Sequence, residues 1–141
     1  MDTPSKSSPF LLIQEELRNE PWKLLIACIM LNLTSIKQVR PVINDFFKRF
    51  PTPESVITSS HDEIADVIRP LGLYNRRATS IMKLSNAFNS RWNDVDDLPG
   101  IGKYAADSYR IFVEGKIDVE PADKKLVKYV DWARSMMNNG R

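Results

Sequence analysis

From residue 10 onward, apolar residues recur at helical spacing along the chain. Within 10–17, Phe10, Ile13 and Leu17 share one face of a short amphipathic helix. Pro21 suits the first turn of a second helix over 22–33, which is apolar nearly all round and is predicted to be central. Thr34 or Ser35 is a candidate cap for a third helix over 36–50, with Val39, Ile43, Phe46, Phe47 and Phe50 as its inner stripe. Pro41 falls in its first or second turn, where proline is tolerated. Thr52-Pro53 opens a short helix to 58, and Ser60-His61-Asp62-Glu63 has capping-box spacing for another to 68. A turn, Pro70-Leu71-Gly72-Leu73, precedes a long helix over 74–90 with Ala78, Ile81, Met82 and Phe88 inward. A helix from about 104 puts Ala105, Ser108, Tyr109, Phe112 and Val113 on one face. A last helix is predicted from Pro121 to about 137, with Leu126, Val130, Ala133 and Met137 inward. No stretch alternates with period two, so the fold class is all-α with short loops.

Composition changes this picture little. At 141 residues and 43% hydrophobic content, one domain or two small lobes sharing a cleft is expected. Residues 1–8 are small, polar and Pro/Ser-rich, and read as a disordered tail or linker ahead of a domain over 9–141. A domain cut from a longer protein is suggested. Net charge is only +2, so its distribution says more. Arg69, Arg76, Arg77, Lys83 and Arg91 fall in a stretch without acids, whereas Glu54, Asp62, Glu63 and Asp66 fall in one without bases. One basic and one acidic face follow. Cys28 is the sole cysteine and lies in an apolar run, which excludes an internal disulfide and a four-cysteine zinc or iron–sulfur site. His61, the sole histidine, reads as a surface residue at a helix start. No apolar run approaches 18 residues and no leader is evident, so a soluble intracellular protein with no membrane partner is expected.

The stretch from 97 to 123 carries the strongest chemical signal. Pro99 ends one helix, and Gly100 and Gly102 permit a turn that places backbone N–H groups at the start of the next. Helix dipole, close backbone approach and the Lys103 charge all suit a phosphate. An ordinary αα-turn with glycines for packing is the plainer alternative. Some 20 residues on, Asp123 would be the third residue of a helix begun by Pro121, where free N–H groups stabilise a carboxylate. An acid at a helix start is common, so Asp123 alone establishes nothing.

Together, Leu98-Pro99-Gly100-Ile101-Gly102-Lys103-Tyr104, the later Asp123 and the preceding Pro70-Leu71-Gly72-Leu73-Tyr74-Asn75-Arg76-Arg77-Ala78 resemble the helix-hairpin-helix DNA glycosylases. The segments 13–35, 69–74, 100–112 and 121–132 are most similar to the catalytic domains of the methyl-CpG-binding-domain group of thymine/uracil mismatch glycosylases. The resemblance covers nearly all of residues 9–133. It implies two helical lobes with a catalytic cleft between them and a DNA-binding hairpin at about 97–113. It also implies excision of thymine or uracil from G·T and G·U pairs, a double-stranded DNA partner, a monomer, and residence in the nucleus as part of a longer protein. Asp123 matches the catalytic aspartate. Gln14, Tyr104 and Lys125 match the base pocket. Leu73 matches an apolar wedge, and Gly100, Ile101, Gly102 and Lys103 match the hairpin that holds phosphate. Leu33 stands where the group places the side chain that fills the space left by the flipped base. Vertebrate members have arginine there, so this chain departs from that pattern.

Physical chemistry weighs these assignments unequally. A base inside a duplex is unreachable, so a glycosylase must flip it, and mismatched pairs open most cheaply. Gln14 offers a donor and an acceptor to a pyrimidine edge, but a solvated glutamine on a short helix is the plainer reading. Leu73 is equally readable as a buried loop leucine, Leu33 as the end of the central helix, and Lys125 as a surface lysine. Bifunctional relatives carry a lysine at the position of Tyr104, which attacks the sugar. Tyrosine there implies a monofunctional enzyme that uses water. No metal or cofactor is expected in the chemistry, although hairpin carbonyls are suited to a structural monovalent cation. Two alternatives stay open: a non-catalytic DNA-binding module, and a bifunctional glycosylase/lyase.

Overall fold

The structure, a computed structural model, describes residues 3–139. Every regular element among them is helical. The helices are α1 (Ile13–Glu16), α2 (Pro21–Leu31), α3 (Ile36–Arg49), α4 (Pro53–Ile57), α5 (His61–Ile68), α6 (Tyr74–Phe88), α7 (Lys103–Phe112) and α8 (Lys124–Asn139), with short 3-10 turns at Arg69–Leu71 and Val95–Asp97.

Helix α2 is the axis of the molecule, as its all-round apolar sequence predicts. Trp22 and all seven residues from Leu24 to Met30 are buried. α2 packs against α1, α3, α6 and α7. Trp22 also donates its ring N–H to Ser85 Oγ on α6 at 3.0 Å, so the one polar atom of a buried indole is satisfied. Helices α3 to α6 form one group around α2. α1, α7 and α8 form the other, where Tyr129 of α8 packs against Phe112 of α7 with ring centroids 4.6 Å apart and the planes tilted by 51°. None of the described helices is long and apolar enough to cross a membrane.

Local sequence signals set most helix starts. Ser35, Thr52 and Ser60 each accept a hydrogen bond from the backbone N–H three residues on, as N-caps do. Ser60 and Glu63 complete the expected reciprocal box. Pro41 lies inside α3, in its second turn.

Several boundaries differ from expectation, α6 ending at Phe88 among them. The helix predicted over 10–17 contains only Ile13–Glu16, because Leu11 adopts φ +49°. α2 stops at Leu31, two residues early, because Leu33 adopts φ +67°. α8 starts at Lys124 and not at Pro121. The tail predicted over 1–8 is packed from Pro4: Pro4 and Ser8 are buried, and Glu15 accepts from both the N–H and the hydroxyl of Ser8 at 2.7 Å. Glu15 also reaches back to the Leu12 N–H at 2.7 Å, so one buried carboxylate organises the approach to α1. Met1 and Asp2 lie outside the described residues.

Candidate nucleic-acid interface and base pocket

Three pockets adjoin one another around Tyr104, in the first turn of α7. The first is a groove lined by Leu33, Leu73, Arg76, Ser80, Gly100, Gly102 and Lys103. The second is bounded by Phe10, Leu11, Gln14, Leu31, Ile36 and Lys125. The third holds Asp123 and Lys125 opposite residues 31–36. Tyr104 lines all three. Residues up to 115 positions apart in sequence, Phe10 and Lys125, therefore meet where the two groups of helices face each other.

Gln14 is buried, and its side-chain amide donates to Tyr104 Oη at 2.7 Å and to Ser108 Oγ at 3.4 Å. With the amide N–H groups directed at Tyr104 and Ser108, no protein group among the described residues donates to Gln14 Oε1. Burial raises the Tyr104 hydroxyl pKa well above the usual phenol range, the neighbouring Cys28 and Asp123 push it the same way, and the Gln14 hydrogen bond opposes them. Tyr104 is thus a neutral phenol. Cys28 lies behind it, and burial pushes its thiol up to about 12, with Asp123 adding to the rise and Ser108 opposing it. A thiol held neutral is no nucleophile.

Asp123 is the residue immediately before α8, not the third within it. Its Oδ2 accepts the Leu126 N–H at 3.0 Å and its carbonyl accepts the Val127 N–H at 2.9 Å, the pattern of an N-cap. The helix start therefore holds the carboxylate in one orientation, favoured by the dipole. Among the described residues nothing donates to Oδ1, and Asp123 is only partly buried beside its pocket.

The hairpin divides the labour of its glycines. Gly100 has φ +75°, a left-handed conformation that side chains disfavour. Gly102 has φ −92° and open space where a Cβ would stand, so the protein itself does not require glycine there. An external group approaching the start of α7 would. The carbonyls of Pro99, Gly100 and Ile101 accept no backbone hydrogen bond among the described residues, which leaves oxygen donors of the type a monovalent cation takes. Lys103 is engaged within the protein. Its ammonium donates to the Glu120 carbonyl at 3.0 Å and lies 2.9 Å from Asp107 Oδ2, as an ion pair without hydrogen-bond alignment.

Two features were not legible beforehand. Arg77, placed by composition on the basic face, is 6% exposed and turned inward; burial lowers its pKa from the usual arginine range. Arg76 remains exposed in the groove. Leu11, Leu33 and Leu73 all adopt left-handed backbone conformations, and all are exposed. Non-glycine residues rarely hold positive φ without a local reason. Leu33 is 87% exposed, so it is not the buried end of α2. Leu33→Ala should accordingly leave the melting temperature nearly unchanged, within the roughly 0.5 kcal/mol typical of surface positions. If the side chain fills a vacated base stack, the same variant lowers mismatch excision more than binding to an abasic-site duplex. Thermal melts and single-turnover excision on one preparation check both halves.

Residues 26–137 match the family described as HhH-GPD superfamily base excision DNA repair protein. The chain belongs to this superfamily. An Arabidopsis thaliana methyl-CpG-binding domain protein 4-like protein is 40% identical over 129 residues, which cover 90% of this chain and 29% of that protein. The thymine/uracil-DNA glycosylase of Pyrobaculum aerophilum is 33% identical over 121 residues, covering 79% of this chain and 52% of its own length. The solved structure of a thermostable thymine-DNA glycosylase superposes with a TM-score of 0.63 at 28% identity, over 79% of this chain and 52% of that one. This HhH-GPD domain thus spans between about a third and a half of these relatives' lengths. The all-helical fold expected from the periodicity is the fold of the superfamily.

Proposed function

We propose that this HhH-GPD domain is a monofunctional DNA glycosylase of base excision repair, which flips thymine or uracil from G·T and G·U mismatches and hydrolyses the N-glycosidic bond. One observation carries the reading: an oriented Asp123 carboxylate with a free oxygen shares a pocket with Tyr104, whose hydroxyl is bonded to the buried Gln14. The relatives named for thymine and uracil point to the same substrates.

The residues divide the reaction as follows. Gly100, Ile101 and Gly102 present the start of α7 to a backbone phosphate. Leu73 and Leu33 enter the base stack and occupy the opened space. The flipped pyrimidine lies against Tyr104 and Lys125, with Gln14 Oε1 accepting its ring N–H. As the bond from C1′ to the base breaks, positive charge grows on the sugar, and Asp123 stabilises it at close range. Water attacks C1′, and its proton passes to the carboxylate. The base leaves with the bonding electron pair, and an abasic site remains. Such a reaction needs no cofactor. It acts on nuclear DNA, with the domain working as a monomer within a longer protein.

Tyr104 cannot form a Schiff base, and Lys103 is held by Asp107 and the Glu120 carbonyl. Labelled duplexes containing G·T or G·U should therefore be cut only after alkali follows the incubation. Strand scission without alkali, or a borohydride-trapped adduct, would assign a lyase step to a lysine, with Lys125 the first to replace. No abasic product from any mismatch, together with intact DNA binding, would leave the non-catalytic module.

A further inference from the structure

One buried cation has no part in the chemistry above. Arg77, on the first turns of α6, donates to four oxygens from two separate loops. Toward the loop after α2 it donates to the Asn32 carbonyl and, at 2.6 Å, to Thr34 Oγ1. Toward the loop before α6 it donates to the carbonyls of Leu71 and Gly72 at 3.0 and 3.2 Å. The first pair of acceptors flanks Leu33 on both sides. The second pair immediately precedes Leu73. Both leucines stand out of the surface at positive φ, on one groove. Neither loop is held in this way by any other side chain among the described residues.

We propose that Arg77 is a positioning residue that locks the two leucine loops into one rigid element, so that Leu33 and Leu73 enter DNA as a unit. The inference rests on the base-flipping reading given above. Arginine suits the task because its planar guanidinium presents five N–H donors in a fixed fork. One nitrogen serves each loop, and the plane sets their separation. A lysine keeps the charge but offers a point donor on a flexible stem, so it can hold one loop and not the spacing between two. A left-handed backbone persists only where its surroundings over-determine it, and these four acceptors lie next to the two residues concerned.

Leu33→Ala, Leu73→Ala and the double variant are compared by single-turnover excision from a G·U duplex, in the wild-type and Arg77→Lys backgrounds. With Arg77 present, the double variant should differ from the product of the single effects by about 3-fold or more, the usual sign of coupled neighbours. In the Arg77→Lys background the effects should multiply independently. Arg77→Lys should itself slow excision more than it weakens binding to an abasic-site duplex, which needs no flipping. Thr34→Val removes one of the four bonds from a partly exposed residue and keeps the test open if Arg77→Lys folds poorly; it should reduce the coupling in the same direction. Identical coupling in all backgrounds, or variants that lose thermal stability while excision per folded molecule is unchanged, overturns the proposal. If the wild-type protein excises nothing, the glycosylase reading fails instead, and the same cycle read by affinity for the abasic-site duplex still decides whether Arg77 couples the loops.

Discussion

Asp123→Asn should keep its affinity for mismatched DNA while excision falls by at least about 10²-fold, the usual scale for removing a positioned acid/base or electrostatic group. The substitution is informative because of where Asp123 sits. As the N-cap of α8 it has a structural duty, through Oδ2 and the Leu126 N–H, besides the catalytic one proposed for it. Asparagine caps a helix about as well as aspartate, so the start of α8 survives and only the charge is lost. Asp123→Ala would remove cap and charge together, and its effect could not be divided. The comparison is made by single-turnover excision followed by alkali, with affinity for the mismatched duplex measured separately. Near-normal excision by the asparagine variant would move the stabilising charge away from this pocket. Cys28 would not inherit the role, since burial keeps its thiol protonated.

The second large effect belongs to the hairpin and should separate its two glycines. Gly102→Val should fold normally, because φ is −92° and a Cβ would meet no protein atom. It should nonetheless weaken binding to matched and mismatched duplexes alike, by roughly tenfold or more. Losing a hydrogen bond to a charged group costs about 1.5–3 kcal/mol, and phosphate contacts carry no sequence information. Gly100→Val differs: at φ +75° a side chain meets backbone strain of about 1–2 kcal/mol, so stability falls as well. Fluorescence anisotropy with both duplexes, alongside thermal melts, distinguishes them. A loss of binding confined to mismatched DNA would contradict the phosphate role of Gly102.

How far the sequence was legible follows from how local each determinant is. The caps at Ser35, Thr52 and Ser60 depend on residues three positions away, and they were readable. The centrality of α2 was readable because a helix without a polar face has nowhere else to go. The hairpin was readable from Pro99, Gly100 and Gly102. Long-range bonds were not. Arg77 looked like one more surface cation because its partners at Asn32 and Thr34 lie more than 40 residues earlier. The left-handed leucines were invisible for the same reason, since nothing in the leucine side chain favours that backbone. Pro121 misled by resembling a helix start, which shifted Asp123 by one structural role, from the first turn to the cap. Residues 3–8 looked like a tail because their composition is polar, yet Glu15 holds Ser8 from within the fold. Of the pocket, the residue types could be named, but the bond from Gln14 to Tyr104 spans 90 positions and only the folded chain shows it.

The exposed, left-handed leucines have a kinetic corollary. Their unfavourable backbone geometry is settled when the chain folds, not when it meets DNA. A protein moving along a duplex with such knobs already extended needs no opening or closing step at each base pair. The time spent at a position would then be governed by how easily that pair yields, and weakly stacked or mispaired steps would retain the protein while sound ones let it pass.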